Sequence, residues 1–260
     1  MNLLDEIFAR KREEVRAEEA ARPLAELKAE LRDAPPPRDF AGALTRSPHR
    51  CALIAEIKRG SPTSGVLKEG LDPASLAALY ESAGASCLSV LTDGPGFGGS
   101  AADLQAARED CSLPVLRKDF TTSAYHLYQA RAMGADAVLL IVHSLSPSEL
   151  SEYQSLAKEL GLAALFEVHS EPEVEVALSL QAELIGVNNR DLTTFELSLE
   201  LGERLLPLVA PHAFAVGESA MHSRADVARM EAAGARAVLI GTALSRAEDP
   251  ARQIAEMMGR

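Results

Sequence analysis

Eight times between residues 51 and 258 the sequence repeats one unit: a short apolar run, a polar, Gly-rich or charged turn, and an Ala/Leu-rich helical stretch. The apolar runs are Ala52–Ile57, Cys87–Leu91, Pro114–Leu116, Ala137–Val142, Ala163–Phe166, Leu184–Val187, Ala213–Val216 and Ala237–Ile240. The helical stretches are Pro73–Ser82, Ala101–Glu109, Ser123–Met133, Ser148–Leu160, Pro172–Leu180, Leu199–Val209, Arg224–Ala233 and Pro250–Met258. Three of these end in near-identical phrases, Ser82-Ala-Gly-Ala-Ser86, Met133-Gly-Ala-Asp136 and Ala233-Gly-Ala-Arg236, where Gly suits a left-handed C-cap just before the next strand. Strands that are continuously apolar and separated by helices argue for a parallel sheet covered on its helical side. Eight units favour closure. The rival, an open doubly wound sheet, lacks its usual G-x-G-x-x-G turn after the first strand. The expected fold is therefore α/β, a single (β/α)8 TIM-barrel domain over residues 1–260, with the barrel in 51–260 and a helical extension in 1–45.

The extension reads as helix from its apolar stripe, Leu3, Leu4, Ile7, Phe8 and Val15, then Leu24, Leu27 and Leu31 after Pro23. Asp33-Ala-Pro-Pro-Pro-Arg38 breaks that pattern, because proline removes a donor and fixes φ. The stripe has to be buried somewhere. A helix packed on the barrel's outside and a mobile interaction tail are the plain alternatives.

Composition narrows the partners. A formal charge of -12 repels nucleic acid and anionic membrane surfaces, so an anionic small substrate needs its own local cluster of cations. With aromatics at 4% and no Trp, the core has to be aliphatic. Cys51, Cys87 and Cys111 are too few and odd in number for a disulfide framework, which points to the reducing cytoplasm. No apolar run approaches the roughly 20 residues that span a bilayer, and the charged start from Met1 to Arg16 has no signal-type stretch. The histidines show no H-x-H or H-x-x-x-H spacing, so no metal site is indicated. A monomer is expected, with weak self-association at most.

In a barrel of this kind, functional groups cluster at the C-terminal ends of the strands. The first strand ends Glu56-Ile-Lys58, and alternation turns both charged side chains inward. The third ends Arg117-Lys118-Asp119, the fifth at Glu167, the sixth in Asn188-Asn189-Arg190-Asp191 and the seventh in Glu218-Ser219. One rim charge means little, but charges at five strand ends converging on one mouth describe a functional pocket, since burying unpaired charge costs several kcal/mol. Gly217-Glu-Ser219-Ala220 and Leu239-Ile-Gly241-Thr242-Ala243 follow the last two strands, where barrels often hold phosphate on free backbone N–H groups. Arg59-Gly-Ser-Pro-Thr-Ser-Gly65 adds a loop with hydroxyls. His169 either lines the mouth or sits in a surface loop.

These motifs resemble the indole-3-glycerol-phosphate synthase family. The resemblance is carried by Ala55-Glu-Ile-Lys-Arg-Gly-Ser-Pro62, Ser89-Val-Leu-Thr-Asp93 with Phe97-Gly-Gly-Ser100, and Leu116-Arg-Lys-Asp-Phe120. Phe166-Glu-Val-His169, Ile185-Gly-Val-Asn-Asn-Arg-Asp-Leu192 and Gly217-Glu-Ser219 carry it further. It implies closure of 1-(o-carboxyphenylamino)-1-deoxyribulose 5-phosphate to an indole with loss of carbon dioxide and water, and without a cofactor. It implies Lys118 as the acid that protonates the ribulose carbonyl, aided by a pKa lowered among other cations. It implies Glu167 in acid/base work near Asn188, and Glu56 with Lys58 as a paired carboxylate and ammonium whose division of the dehydration proton stays open. Arg190 would hold these charges, and Glu218 and the catalytic Ser219 would line the far side. Phosphate would sit on Ser61 and on backbone N–H groups near Ala220, Gly241 and Thr242. Phe97, Phe120, Leu139 and Leu192 would hold the aromatic ring, and the N-terminal helix would cover the barrel top.

Two positions depart from the family's pattern. Glu218-Ser-Ala-Met221 stands where members commonly have Glu-Ser-Gly-Ile, and Gly94-Pro-Gly-Phe97 where many place two adjacent aromatics. The rival phosphoribosylanthranilate isomerase calls for a Cys/Asp pair at strand ends, and none is well placed. A barrel that only binds would have no reason to keep both lysines and both glutamates at its mouth.

Overall fold

The computed structural model describes residues 3–32, 34–61, 65–67, 70–191 and 196–260, with the side chains of Leu3, Ser61 and Val66 also outside what is described. Leu192 therefore lies outside the described residues, and so does the ring contact expected of it.

Strands β1 (Ala52–Ile57), β2 (Cys87–Leu91), β3 (Val115–Lys118), β4 (Ala137–Ile141), β5 (Ala163–Val168), β6 (Leu184–Asn188), β7 (Phe214–Glu218) and β8 (Ala237–Ile240) run in parallel. Each pairs with the next, and β8 pairs with β1 to close the barrel. The expected eight runs are all strands, but several reach further than their apolar residues. β3 continues through Lys118, β5 through Val168, β6 to Asn188 and β7 to Glu218. Apolarity stops where the first polar side chain enters the mouth, whereas the backbone ladder continues, as in Leu91 opposite Lys118 and Asn188 opposite Glu218. That extension brings the charged residues to one level.

The helices follow their polar starts. Helices α4 (Pro73–Ser82), α5 (Ala101–Glu109), α6 (Ala124–Ala132), α7 (Pro147–Glu159) and α8 (Glu171–Ser179) each succeed a strand. So do α9 (Leu199–Val209), α10 (Arg224–Ala233), the short α11 (Thr242–Ser245) and α12 (Pro250–Met258). An Asp or Ser side chain accepts a first-turn N–H at the start of α4, α5, α6, α7, α9, α10 and α12, which fixes each entry. The three repeated phrases place Gly84, Gly134 and Gly234 at φ of 87°, 91° and 111°, the left-handed ends their sequence called for.

The N-terminal extension is a strap from mouth to base. Helix α1 (Leu3–Ala21) crosses the mouth, α2 (Leu24–Glu30) follows the break at Pro23 and packs on α6, and α3 (Phe40–Thr45) closes the base. Sequence reading missed α3, which has six residues and only the Asp39 cap as a signal. The Pro-rich link is tied at the base by Asp136, which is fully buried and accepts from the backbone N–H of Arg38 (2.6 Å), that of Val115 (2.8 Å) and the Arg108 guanidinium. The core is aliphatic, as composition required: among the described residues only Tyr80, Phe40 and Phe166 of the largest fully buried side chains are aromatic.

Candidate active site

A cavity of about 470 Å3 opens at the C-terminal ends of the strands, within the size range of small-molecule sites. It collects Glu56, Lys58, Lys118, Glu167, Asn188, Arg190, Glu218 and Ser219 on its polar walls, with Ala220, Gly241 and Thr242 at one end. Phe97, Phe120 and Leu139 form the apolar side. Every site residue read from the sequence lines this cavity except Leu192 and Ser61, whose side chains fall outside the described residues.

Lys118 is the hub. Its Nζ donates to Glu167 Oε2 at 2.7 Å and lies 3.5 Å from Glu218 Oε2. Burial alone would lower the ammonium, but Glu167, Glu218 and Glu56 outweigh it and hold Lys118 above its usual value. This corrects the expectation of a lysine lowered among cations: inward alternation was right, but the neighbours across the barrel are carboxylates. Burial pushes the Glu167 carboxyl up, and Lys118 and His169 more than reverse it, so Glu167 stays ionised well below the usual range. Glu218 goes the other way. Burial raises it, the pull of Lys118 does not cancel the repulsion of Glu167 and Glu56, and it titrates at about 7. Its Oε1 is buried with no hydrogen-bond partner. Two carboxyls on one lysine are thus pushed in opposite directions, one kept ionised and one able to take up a proton near neutrality, the separation that marks acid/base sites.

Small residues make the room. A Cβ at Gly186 would stand 2.0 Å from Glu218 Oε1, and one at Gly241 would stand 2.1 Å from Glu56 Oε1 and 3.0 Å from Lys58 Nζ. Glu56 and Lys58 are paired at 2.9 Å, as their spacing on one strand face suggests. Arg190 is half-buried, its guanidinium lowered by burial against the pull of Glu56. Asn188 faces the cavity, while its neighbour Asn189 turns outward to brace Gly202 N and Glu218 O. At the far end Ser219 and Ala220 both take positive φ, 63° and 64°. Ala220 therefore adopts a conformation that Gly reaches without strain, a local cost that the family's usual Gly avoids. Across from them Gly241 caps α11, whose first N–H groups have no partner within so short a turn.

Helix α1 supplies the roof. Leu4 and Ile7 line the cavity, and Phe8 packs edge-on against Phe120 at 5.6 Å, with Phe97 a further 6.0 Å from Phe120. Lys11 holds the helix down through Asp93 (2.5 Å) and Asp119 (3.2 Å), and Arg10 adds a second contact to Asp93. The apolar stripe thus both packs on the barrel and covers its mouth.

One contributor was not singled out in the sequence, and another takes neither of the two places expected of it. Arg246, brought round by α11, lines the cavity with Gly241 and Thr242. His169 neither lines the cavity nor sits in a surface loop: it is half-buried just past β5, its ring nitrogens buried between Glu167 and Glu173, a position signalled by Glu167-x-His169 and by Glu173 four residues on. Among the described residues no group of three or more His, Cys, Asp or Glu side chains is arranged to hold a metal ion, and no helix is long and apolar enough to cross a membrane.

A closed parallel barrel whose mouth sets lysines and an arginine against three carboxylates defines a (β/α)8-barrel enzyme of the acid–base type. A family model described as "Indole-3-glycerol phosphate synthase" matches residues 4–257. The chain is 48% identical over 262 residues to the indole-3-glycerol phosphate synthase of Azoarcus sp. (strain BH72), covering 99% of each. It is 46% identical over 259 residues to that of Laribacter hongkongensis (strain HLHK9), covering 98% of each. The chain belongs to the indole-3-glycerol phosphate synthase family, whose members are carboxy-lyases. Mutant tryptophan synthase alpha-subunits from Pyrococcus furiosus share its fold, with a TM-score of 0.62 at 16% identity over 80% of this chain and 98% of theirs.

Proposed function

We propose that this chain converts 1-(o-carboxyphenylamino)-1-deoxyribulose 5-phosphate to indole-3-glycerol phosphate in tryptophan biosynthesis, as a cofactor-free monomer of one barrel domain in the cytoplasm. The observation that carries the reading is Lys118, held charged at the cavity floor between an ionised and a protonatable glutamate. Lys118 protonates the ribulose carbonyl oxygen, and the ring carbon bearing the carboxylate attacks the carbonyl carbon. Carbon dioxide then leaves, and its bonding electrons restore the aromatic ring. The former carbonyl oxygen, now a hydroxyl, departs as water once protonated, while the adjacent methylene gives up a proton to make the indole double bond. Glu167 and the Glu56–Lys58 pair supply the acid–base groups for these later steps, and Glu218 stands by as a neighbour that can take up a proton near neutrality.

Lys58 and Arg190 balance the substrate carboxylate inside an acidic protein. The backbone around Ala220, Gly241 and Thr242 takes the phosphate, with Ser61 from the loop after β1, and Ser219 steadies that end. Phe97, Phe120 and Leu139 take the ring under the roof of α1, with Leu192, which follows β6 in the sequence. The three cysteines, free and buried, suit a reducing compartment. The test follows indole absorbance on incubation with that substrate. Wild type should form product, and folded Lys118→Ala should turn over at least about 100-fold more slowly. No product from wild type overturns the function, and near-normal turnover by folded Lys118→Ala overturns the assignment of the acid.

A further inference from the structure

The reaction proposed above consumes a proton. Protons are delivered to the carbonyl oxygen and to the departing hydroxyl, and one is returned from the methylene carbon. The substrate carboxylate leaves as neutral carbon dioxide, so the balance of each turnover is one proton taken from solvent. The groups that need it lie at the cavity floor beneath α1.

A line of side chains leads from that floor to the surface on the other side of β5. Lys118 Nζ meets Glu167 Oε2 at 2.7 Å, and Glu167 Oε1 lies 3.3 Å from His169 Nε2. His169 Nδ1 lies 3.4 Å from Glu173 Oε2, and Glu173 Oε1 lies 3.4 Å from His143 Nδ1, in the turn after β4. Side-chain exposure falls steadily inward: 44% for His143, 15% for Glu173, 9% for His169 and 2% for Glu167. Glu173 is fixed at the start of α8 by accepting the His169 backbone N–H at 2.7 Å. Both ring nitrogens of His169 are buried with no aligned hydrogen bond, although a carboxylate stands beside each. A buried imidazole left in that state needs a reason, and a small ring rotation aligns either N–H.

We propose that His143, Glu173 and His169 form the path by which the consumed proton travels from solvent to Glu167 and Lys118. The proposal rests on the reading of Lys118 and Glu167 given above. His169 gives its Nε2 proton to Glu167 Oε1, and Glu167 passes a proton from Oε2 to the amine left on Lys118 after carbonyl protonation. Glu173, loaded through His143, returns a proton to His169. One proton enters at His143 and one is delivered by Lys118, so the count closes and each carboxylate ends as it began. The groups facing His169 are Glu167 on β5, Glu173 on α8 and, at longer range across the barrel, Glu218. Burial lowers its imidazolium, but Glu167 and Glu173 win and raise it to about 9, so it stands loaded at neutral pH. Neither His169 nor Glu173 reaches the cavity. They are positioning residues that act through Glu167.

The experiment compares wild type, His169→Ala and Glu173→Gln for kcat, KM and the solvent deuterium isotope effect, with and without added imidazole. Both variants should lose at least about tenfold in kcat with little change in KM, because one proton-transfer step has lost its donor. Their solvent isotope effect should rise, and imidazole should restore His169→Ala by entering the space left. A folded variant at the wild-type rate overturns the relay, and so does a slow one that imidazole does not rescue and whose isotope effect is unchanged. If His169→Ala does not fold, Glu173→Gln, which still offers an oxygen to the His169 backbone N–H, decides by its isotope effect. Wild type that yields no indole overturns the reading of the site itself, and that control separates the two failures.

Discussion

Gly186→Ala is a small change with a large expected effect. The added Cβ would stand 2.0 Å from Glu218 Oε1 and 3.1 Å from its Cδ, well inside contact distance. Glu218 has nowhere to retreat: it is 1% exposed, and its other oxygen is 3.5 Å from Lys118. Overpacking of this kind costs about 1–3 kcal/mol, which in a chain of this size lowers Tm by roughly 2–12 °C. Activity should suffer more, since a displaced Glu218 disturbs Lys118, and moving a catalytic group by about 1 Å costs on the order of 100-fold in rate. The control is Gly217→Ala, whose Cβ points to the other face and meets Met230 at 3.3 Å, a contact that a flexible side chain relieves. Thermal unfolding by circular dichroism and turnover per folded molecule separate the two effects. If Gly186→Ala keeps the wild-type kcat, Glu218 is not held where the argument needs it.

Other outcomes follow from the same geometry. Lys11→Met leaves Asp93 and Asp119 buried beneath α1 without their shared cation; stability should fall by about 3 kcal/mol, the low end for a broken buried pair because Arg10 still reaches Asp93, and KM should rise as the roof loosens. Normal stability and KM in that variant would show that the clamp does not hold the roof. Glu218 is raised to about 7, so the folded state binds its proton more tightly than the unfolded chain; that stabilisation is complete below the ordinary carboxyl value and is lost as pH rises through about 7. Glu218→Gln should therefore lose less stability than wild type between pH 5 and 8 in urea melts, and parallel curves would refute the shift. Ala220→Gly relieves a left-handed alanine and should change stability by roughly 0 to 1 kcal/mol in the favourable direction; a clear loss in urea titration would mean that its methyl packs usefully.

The eight-unit pattern made the barrel legible, because aliphatic runs and Gly-Ala helix ends report local geometry. Strand alternation also placed Glu56, Lys58, Lys118, Glu167 and Glu218 in one mouth. What it did not reveal is which charges meet across the barrel, since that depends on closure and on the room left by Gly186 and Gly241. Lys118 was therefore expected among cations and stands among carboxylates. The place of His169, expected at the mouth or in a surface loop, was missed for the same reason: it lies between Glu167 of β5 and Glu173 of the helix after it, which in turn meets His143 in the turn after β4, and no single stretch of sequence shows these together. Helix α3 and Arg246 are short-range features without a periodic signal.

The most direct measurement follows indole absorbance and released carbon dioxide together when the purified protein meets 1-(o-carboxyphenylamino)-1-deoxyribulose 5-phosphate. If Lys118 activates the carbonyl for attack by the carboxylate-bearing ring carbon, decarboxylation cannot precede ring closure, and the two products should appear in equal amounts. Carbon dioxide without indole, or no release of either, would contradict the account.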